Sequence, residues 1–516
     1  MKAKLTFLTI ILSSLFFVAC DDNNDSKRDN YTDEEYTNRW IYDKMTRVYL
    51  WNEELTKSPN YSLESESFFT SILYKYKQRD GDRFSWIEED DSKGTKALFN
   101  EDNLGFDCLP VSYFPNASAQ NTSVGLFVTY VYEDSDAEAK GLKRGMVIYK
   151  VDSENVNYDN YQTILKDKNS LTLSVYNNAT GTMEVLSPFS TNGSVQSPIF
   201  ISKVLNVKNS ANADVKVGYL MYNAFKRDPD ESDETNFRYD IALIESIRDL
   251  NNQGITEFVL DLRYNPGGYL TTAINLASAL YPDRTTSKIF AKEKYNQYFE
   301  DSLLVTNRNN SDIFNDYFLD KVYRTNVEIP KLNINRLFII ASEYSASASE
   351  LVLHNLKPYM NVYHVGETTV GKDKASMTIK SDSERIKWQL QPLISRLSDA
   401  DGNGNYIDGL EPDYPVSEWE ESYVMQDAYY EDDNGNRVET QCPLLSEWKE
   451  GLLPLGDLSE PMLAEAIAKI TGVARVKTKS AVTTQVVPVV KVPRLKYNED
   501  KQRIIIDADR FDNLLK

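Results

Sequence analysis

Histidine and cysteine are almost missing from this chain: two of the first and three of the second in 516 residues. A catalytic triad built on histidine, or a zinc site of the Cys/His type, therefore has few residues to draw on. Cys20, Cys108 and Cys442 form no C-x-x-C pair, so no metal and no cofactor is expected, and Cys108 and Cys442 read as ordinary buried thiols. Positive charge is also short. Against 78 Asp and Glu stand 57 Lys and Arg, a net charge of −21. A field of that sign repels phosphate backbones and argues against nucleic acid as a partner. No apolar run is long enough to span a bilayer. What is present is a length that calls for two to four domains and a hydrophobic share of 41%, ordinary for a globular chain.

Lys2 and Lys4 precede an apolar stretch from Leu5 to Val18, the pattern of an export signal. It ends in Phe17-Val18-Ala19-Cys20, which resembles a bacterial lipobox, with Cys20 as the lipidated first residue of the mature chain. Residues 1–20 are thus expected to be a lipoprotein signal peptide. Residues 21–30, polar and turn-forming, read as a tether. The acidic start of the tether resembles export tags of surface lipoproteins in Gram-negative bacteria. The expected location is the bacterial cell envelope, lipid-anchored at the outer membrane on its periplasmic or surface face.

Residues 31–102 read as a small helical region, with Trp40, Tyr42, Met45, Val48, Tyr49 and Trp51 at roughly helical spacing. Residues 103–190 change to short β runs punctuated by glycine. Leu104-Gly105-Phe106, with Ala139-Lys140-Gly141-Leu142-Lys143-Arg144-Gly145, resembles a PDZ domain. In that family such a loop caps a peptide C-terminus with backbone N–H groups. Residues 200–420 alternate strands (217–225, 258–262, 337–341, 362–365) with helices (239–250, 270–280, 348–356), an α/β core. Residues 421–516 form a C-terminal extension in which 462–470 looks helical and 478–492 shows no face.

Three segments of the core carry chemistry. Asp261-Leu262-Arg263-Tyr264-Asn265-Pro266-Gly267-Gly268 runs from a buried strand into a glycine turn whose N–H groups could face a developing anion. Ser345-Ala346-Ser347-Ala348-Ser349-Glu350 opens a helix, where a serine is exposed to the helix N-terminus and to a neighbouring N–H. Gly366-Glu367-Thr368-Thr369-Val370-Gly371-Lys372 has P-loop spacing, but Asp373 stands where a P-loop needs Ser or Thr, and 377–380 reads as a strand rather than a helix. Each segment has a plainer reading: a tight turn, an N-cap, a surface lysine. His354 lies about 10 Å along the helix from Ser347 at roughly 1.5 Å per residue, beyond reach. His364 sits within a strand and no pattern recommends it. A lysine can activate a serine instead if it is held uncharged, and Lys372 is so placed.

In this order, the three segments resemble the carboxy-terminal processing peptidases, also called tail-specific proteases. The resemblance covers roughly residues 31 to 420 and implies a serine endopeptidase acting on polypeptides through a Ser–Lys dyad. Carried over by position, Ser347 is the nucleophile and Lys372 the general base. The N–H of Ala348 with that of Gly267 or Gly268 forms the oxyanion hole, and Leu104, Gly105 and Phe106 bind the substrate's C-terminus. Some members orient the lysine with a glutamine four residues later; Ser376 stands there, and Glu350 is a second candidate. The core is expected to be crotonase-like. Asp399-Ala400-Asp401-Gly402-Asn403-Gly404-Asn405 looks like the start of a calcium loop, but Leu410 stands where the register needs glutamate, and a surface turn is the commoner explanation. The competing class is a non-catalytic lipoprotein that only binds peptides. Intact Ser347 and Lys372 argue against it.

Overall fold

The computed structural model describes residues 31–90, 104–115, 119, 121–166, 168–177, 180–191, 197–229, 235–419, 425–431, 435–444, 452–475, 490–492, 503–506 and 508–511. The proposed signal, its lipidation site Cys20 and the tether lie outside them.

Helix α1 (Asp33–Val48) starts at Thr32, whose hydroxyl accepts from the Glu35 N–H while Glu35 accepts from the Thr32 N–H. Ile41, Met45 and Val48 line its buried face. Helix α2 (Ser65–Ile72) and strand β1 (Trp86–Glu89) follow. This region is no separate body. Its apolar side chains share one core with those of the α/β unit, and β1 pairs with a strand three hundred residues on.

The next unit is an antiparallel sheet in the order β2 (Phe106–Tyr113), β3 (Ser123–Val131), β4 (Val147–Val151), β5 (Leu173–Asn177) and β6 (Thr182–Val185). The short helix α3 (Asp136–Ala139) sits between β3 and β4. Between α3 and β4 the chain turns through Gly141 and Gly145, both at positive φ. Leu104 and Phe106 point into this unit's own core, and the buried Gly105 between them accepts from the Tyr132 N–H at its carbonyl (2.9 Å).

The α/β unit is built on two sheets. Its elements in chain order are β7 (Ile199–Lys208), β8 (Asp214–Tyr222), α4 (Arg238–Asn252), β9 (Glu257–Asp261), β10 (Gly267–Tyr269), α5 (Leu270–Leu280), β11 (Ile289–Tyr295), α6 (Gln297–Thr306), β12 (Asn315–Tyr317), β13 (Arg336–Ala341), α7 (Ala348–Asn355), β14 (Asn361–Gly366), β15 (Lys374–Ser376), β16 (Trp388–Gln391), β17 (Leu393–Ser398) and β18 (Tyr414–Pro415). The first sheet runs β7-β8-β9-β13-β14-β18, parallel from β8 onward. Its inner strands are covered on both faces and so read as unbroken apolar runs. The predicted strand over 217–225 ends at Tyr222, and Phe225 keeps only a single bridge to Gly268.

The C-terminal extension completes this core. Strands β19 (Met425–Glu431), β20 (Arg437–Pro443) and β21 (Val490–Lys491) form a small sheet of their own. Helix α8 (Pro461–Thr471) packs Met462, Leu463, Ala466 and Ile470 on the first sheet. Strand β22 (Arg503–Ile505) enters the second sheet, whose order is β10-β22-β15-β17-β11-β12. The predicted strand over 377–380 is displaced: regular pairing covers Lys374–Ser376, and beyond it only Ile379 bridges Leu390. Cys108 and Cys442 are free thiols; Cys442 is buried and Cys108 half-buried. No described helix is long and apolar enough to cross a membrane.

Candidate active site

The glycine turn and the serine turn are stitched together by Asn265. Its side-chain amide donates to the Tyr222 carbonyl (2.8 Å) and accepts from the Gly267 N–H (2.9 Å). Its carbonyl accepts from the Ala346 N–H (3.2 Å) and from the Ser349 hydroxyl (2.9 Å). Gly268 then passes so close to Phe225 that a Cβ there would lie 2.2 Å from the Phe225 carbonyl oxygen. Only glycine fits.

Three serines share the next turn, and their hydroxyls differ. Ser345 donates to the Leu262 carbonyl (2.8 Å) and Ser349 to that of Asn265. Among the described residues, the Ser347 hydroxyl has no hydrogen-bond partner, although it is buried. Ser347 also holds φ 61°, ψ −113° at the N-cap of α7, a conformation that costs a non-glycine residue energy and is typical of functional turns. The Ala348 N–H, at the first helical position, has no partner in the helix.

Glu350 joins this turn to the lysine turn. It is fully buried. One oxygen accepts from the Thr369 hydroxyl (2.5 Å) and the Gly371 N–H (2.6 Å), the other from the N–H groups of Ser347 (2.7 Å) and Lys372 (2.8 Å). Burial raises its pKa, and these donors oppose the rise. Gly371 takes φ 87°, and a Cβ there would meet the Ile407 carbonyl at 2.5 Å. From the N-terminal region, Arg83 donates to the carbonyls of Gly371 (2.8 Å) and Ile407 (3.0 Å). The Lys372 ammonium position lies 5.0 Å from the centre of the Phe84 ring, and Lys372 is fully buried.

Several expectations change here. The Ser376 hydroxyl has partners other than a lysine: it donates to the Ile504 carbonyl (3.2 Å) and accepts from Gln391 (2.9 Å). Glu350 holds the backbone of Lys372. The Gly267 N–H is occupied by Asn265, so of the glycine pair Gly268 remains as a candidate oxyanion donor. The backbones of Ser347 and Lys372 are brought together on one Glu350 oxygen, and the Ser347 hydroxyl bonds to no described residue. Neither histidine intervenes. His354 faces the Asn403 carbonyl (3.2 Å), and burial pushes His364 down to about 4. The calcium-like loop satisfies itself, with Asp399 accepting from the N–H groups of Asp401 and Asn403. No group of three or more metal-ligating side chains occurs among the described residues. Arg83 and Phe84 were not foreseen, since nothing local marks residues whose role is to touch a turn 288 positions away.

The family model of peptidase family S41 matches residues 216–416, and that of the peptidase S41 N-terminal domain matches residues 36–86. Residues 36–86 and 216–416 thus belong to peptidase family S41. Among similar proteins, a carboxyl-terminal-processing protease of Picosynechococcus is 27% identical over 243 residues, covering 46% of this chain and 48% of that one. A probable CtpA-like serine protease of Staphylococcus epidermidis is 24% identical over 348 residues, 66% of this chain and 60% of that one. The chain thus spans about half to three fifths of the length of these relatives. In fold it is similar to a putative S41 protease from Bacteroides fragilis, with TM-score 0.61, 23% identity and coverage of 84% of this chain and 97% of the other. All three segments singled out in the sequence fall within the span matched by the S41 model.

Proposed function

We propose that this chain is a serine endopeptidase of exported proteins, with Ser347 as nucleophile and Lys372 as general base. One observation carries the reading. Alone among the serines of its turn, Ser347 keeps a hydroxyl without a partner among the described residues, on a backbone that Glu350 ties to that of Lys372.

In the proposed reaction the uncharged Lys372 amine takes the Ser347 proton as the oxygen attacks a peptide carbonyl carbon. The oxyanion faces the N–H groups of Ala348 and Gly268. Lys372 then gives the proton to the leaving amine, and water, activated by the same amine, hydrolyses the ester. The gap between the two side chains closes when substrate is bound, as free enzymes often hold such contacts long.

The sheet β2–β6 acts in this reading as a PDZ-like module that captures a substrate's C-terminal segment at the Gly105 loop, beside a crotonase-like core. Export and lipid anchoring at Cys20 complete the proposal. Hydrolysis of unstructured casein by the wild type, Ser347→Ala and Lys372→Ala tests it. Both variants should lose activity by three orders of magnitude or more, because paired catalytic groups act as a unit. Undiminished activity in Ser347→Ala removes the mechanism. Loss of the membrane-associated fraction on Cys20→Ala tests the anchor.

A further inference from the structure

Ser347 and Lys372 are both fully buried. A polypeptide cannot reach a hydroxyl shut away from solvent, so some element has to move. The topology singles one out. Strand β10 carries Gly268, strand β15 begins two residues after Lys372, and β22 alone lies between them, parallel to both.

The hydrogen bonds show what β22 covers. The Gly267 carbonyl accepts from the Phe225 N–H (2.9 Å), and the Tyr269 N–H donates to the Phe225 carbonyl (2.8 Å). Groups of successive residues in a strand point to opposite sides. The N–H and carbonyl of Gly268 therefore face β22, where Ile504 is its ladder partner. On the other edge the Ile506 N–H donates to the Ser376 carbonyl (2.9 Å), and the Ser376 hydroxyl donates to the Ile504 carbonyl. These bonds use the backbone of 503–506, which any peptide could supply. The side chains of Ile504 and Ile506 are buried in the same apolar core as Ala375, Met377 and Leu390, so a substitute has to bring apolar side chains. Beyond the strand, Arg510 is paired with Glu293 (3.0 Å) and Phe511 packs on Phe299, an anchor that would stay while the strand lifts.

We propose that residues 503–506 are a displaceable internal ligand of the candidate active site. They occupy the strand position that an incoming apolar polypeptide takes and cover the Gly268 amide until displaced. With the strap out, β10 and β15 stand two strand spacings apart, roughly 10 Å, the width for one extended chain. The assignment of that chain as substrate rests on the peptidase reading above.

Two measurements test the strap. Tyr269 and Ile505 are ladder partners, so the Tyr269→Cys/Ile505→Cys double variant can tether it by a disulfide, verified by mass. The oxidised enzyme should hydrolyse casein at least tenfold more slowly than the reduced one, while each single variant ignores the reductant. Hydrolysis that is equal in the tethered and reduced forms overturns the strap and leaves the peptidase reading standing. The second measurement needs no turnover. In Ser347→Ala, amide exchange at Ile504–Ile506 should accelerate at least tenfold when a saturating peptide of residues 501–508 is added. Unchanged exchange overturns displacement. If no form hydrolyses casein, the peptidase reading falls, and the exchange experiment alone decides whether the strap is exchangeable.

Discussion

The backbone N–H groups of Ser347 and Lys372 donate to the same oxygen of Glu350, at 2.7 and 2.8 Å. The two nitrogens can be no further apart than those two bonds laid end to end. One carboxylate thereby fixes the distance between two turns that are 25 residues apart in sequence. Its role is positioning, so replacing it should alter turnover before binding. In Glu350→Gln one acceptor oxygen becomes an NH2 that faces two N–H donors. The expected result is a kcat reduced about a hundredfold with KM changed less than threefold, and a stability loss of about 2–4 kcal/mol from the broken charged network. Steady-state kinetics beside urea unfolding would check both, and a stability loss with intact kcat would show that the carboxylate only holds the fold.

The three serines of the turn allow a sharper comparison. Ser345 and Ser349 each donate to a backbone carbonyl, and Ser347 donates to nothing among the described residues. Removing a buried bonded hydroxyl costs about 1 kcal/mol, whereas removing an unsatisfied one costs little or stabilises. Ser345→Ala and Ser349→Ala should therefore unfold at lower urea while keeping measurable activity. Ser347→Ala should lose activity and unfold at equal or higher urea. The reverse ordering of midpoints would contradict the hydrogen-bond pattern.

Local chemistry explains what was legible in the sequence. Helix α5 was bounded correctly at Leu270–Leu280 because every residue in it is buried and the run has no break. The three turns stood out because glycine, serine and lysine act there through backbone geometry within a few residues. The base strand was misplaced because Met377 and Ile379 alternate toward the core as strand residues do, yet only Ile379 finds a single bridge. With that shift the Ser376 hydroxyl bonds to the Ile504 carbonyl and to Gln391. Arg83, Phe84 and Ile504 could not be found at all. Each reaches the site from another part of the chain, and an arginine or isoleucine carries no mark of the turn or gap it will fill.

Arg144 couples the β2–β6 unit to the glycine turn. Its guanidinium donates to the Thr129 carbonyl (2.5 Å), the Tyr264 hydroxyl (2.6 Å) and Glu418 (2.6 Å), and Tyr264 immediately precedes Asn265. Removing one partner of a buried ion pair costs about 3–5 kcal/mol when the other charge is left unpaired; Glu418 keeps the Tyr264 hydroxyl and, at 3.5 Å, Arg263, which puts the cost here at the low end. Arg144→Ala should show that loss, and Arg144→Ala/Glu418→Gln should recover more than half of it. If the double variant is no more stable than the single one, the pair does not join the two units energetically.

Glu367 sets a pH dependence. It is packed among carboxylates, and burial followed by the charge of Glu343 pushes its pKa up to about 7, from an ordinary 4.5. Between those values the folded chain holds a proton that the unfolded chain has released. Protonation thus favours the fold below about pH 4.5, and the advantage fades as pH rises toward 7. Above that, ionised Glu367 beside Glu343 and Glu418 works against the fold by about 3 kcal/mol. In Glu367→Gln this slope should disappear, so that the variant equals the wild type near pH 5 and exceeds it in urea midpoint at pH 8. Parallel midpoint curves for the two proteins across that range would place the titrating group elsewhere.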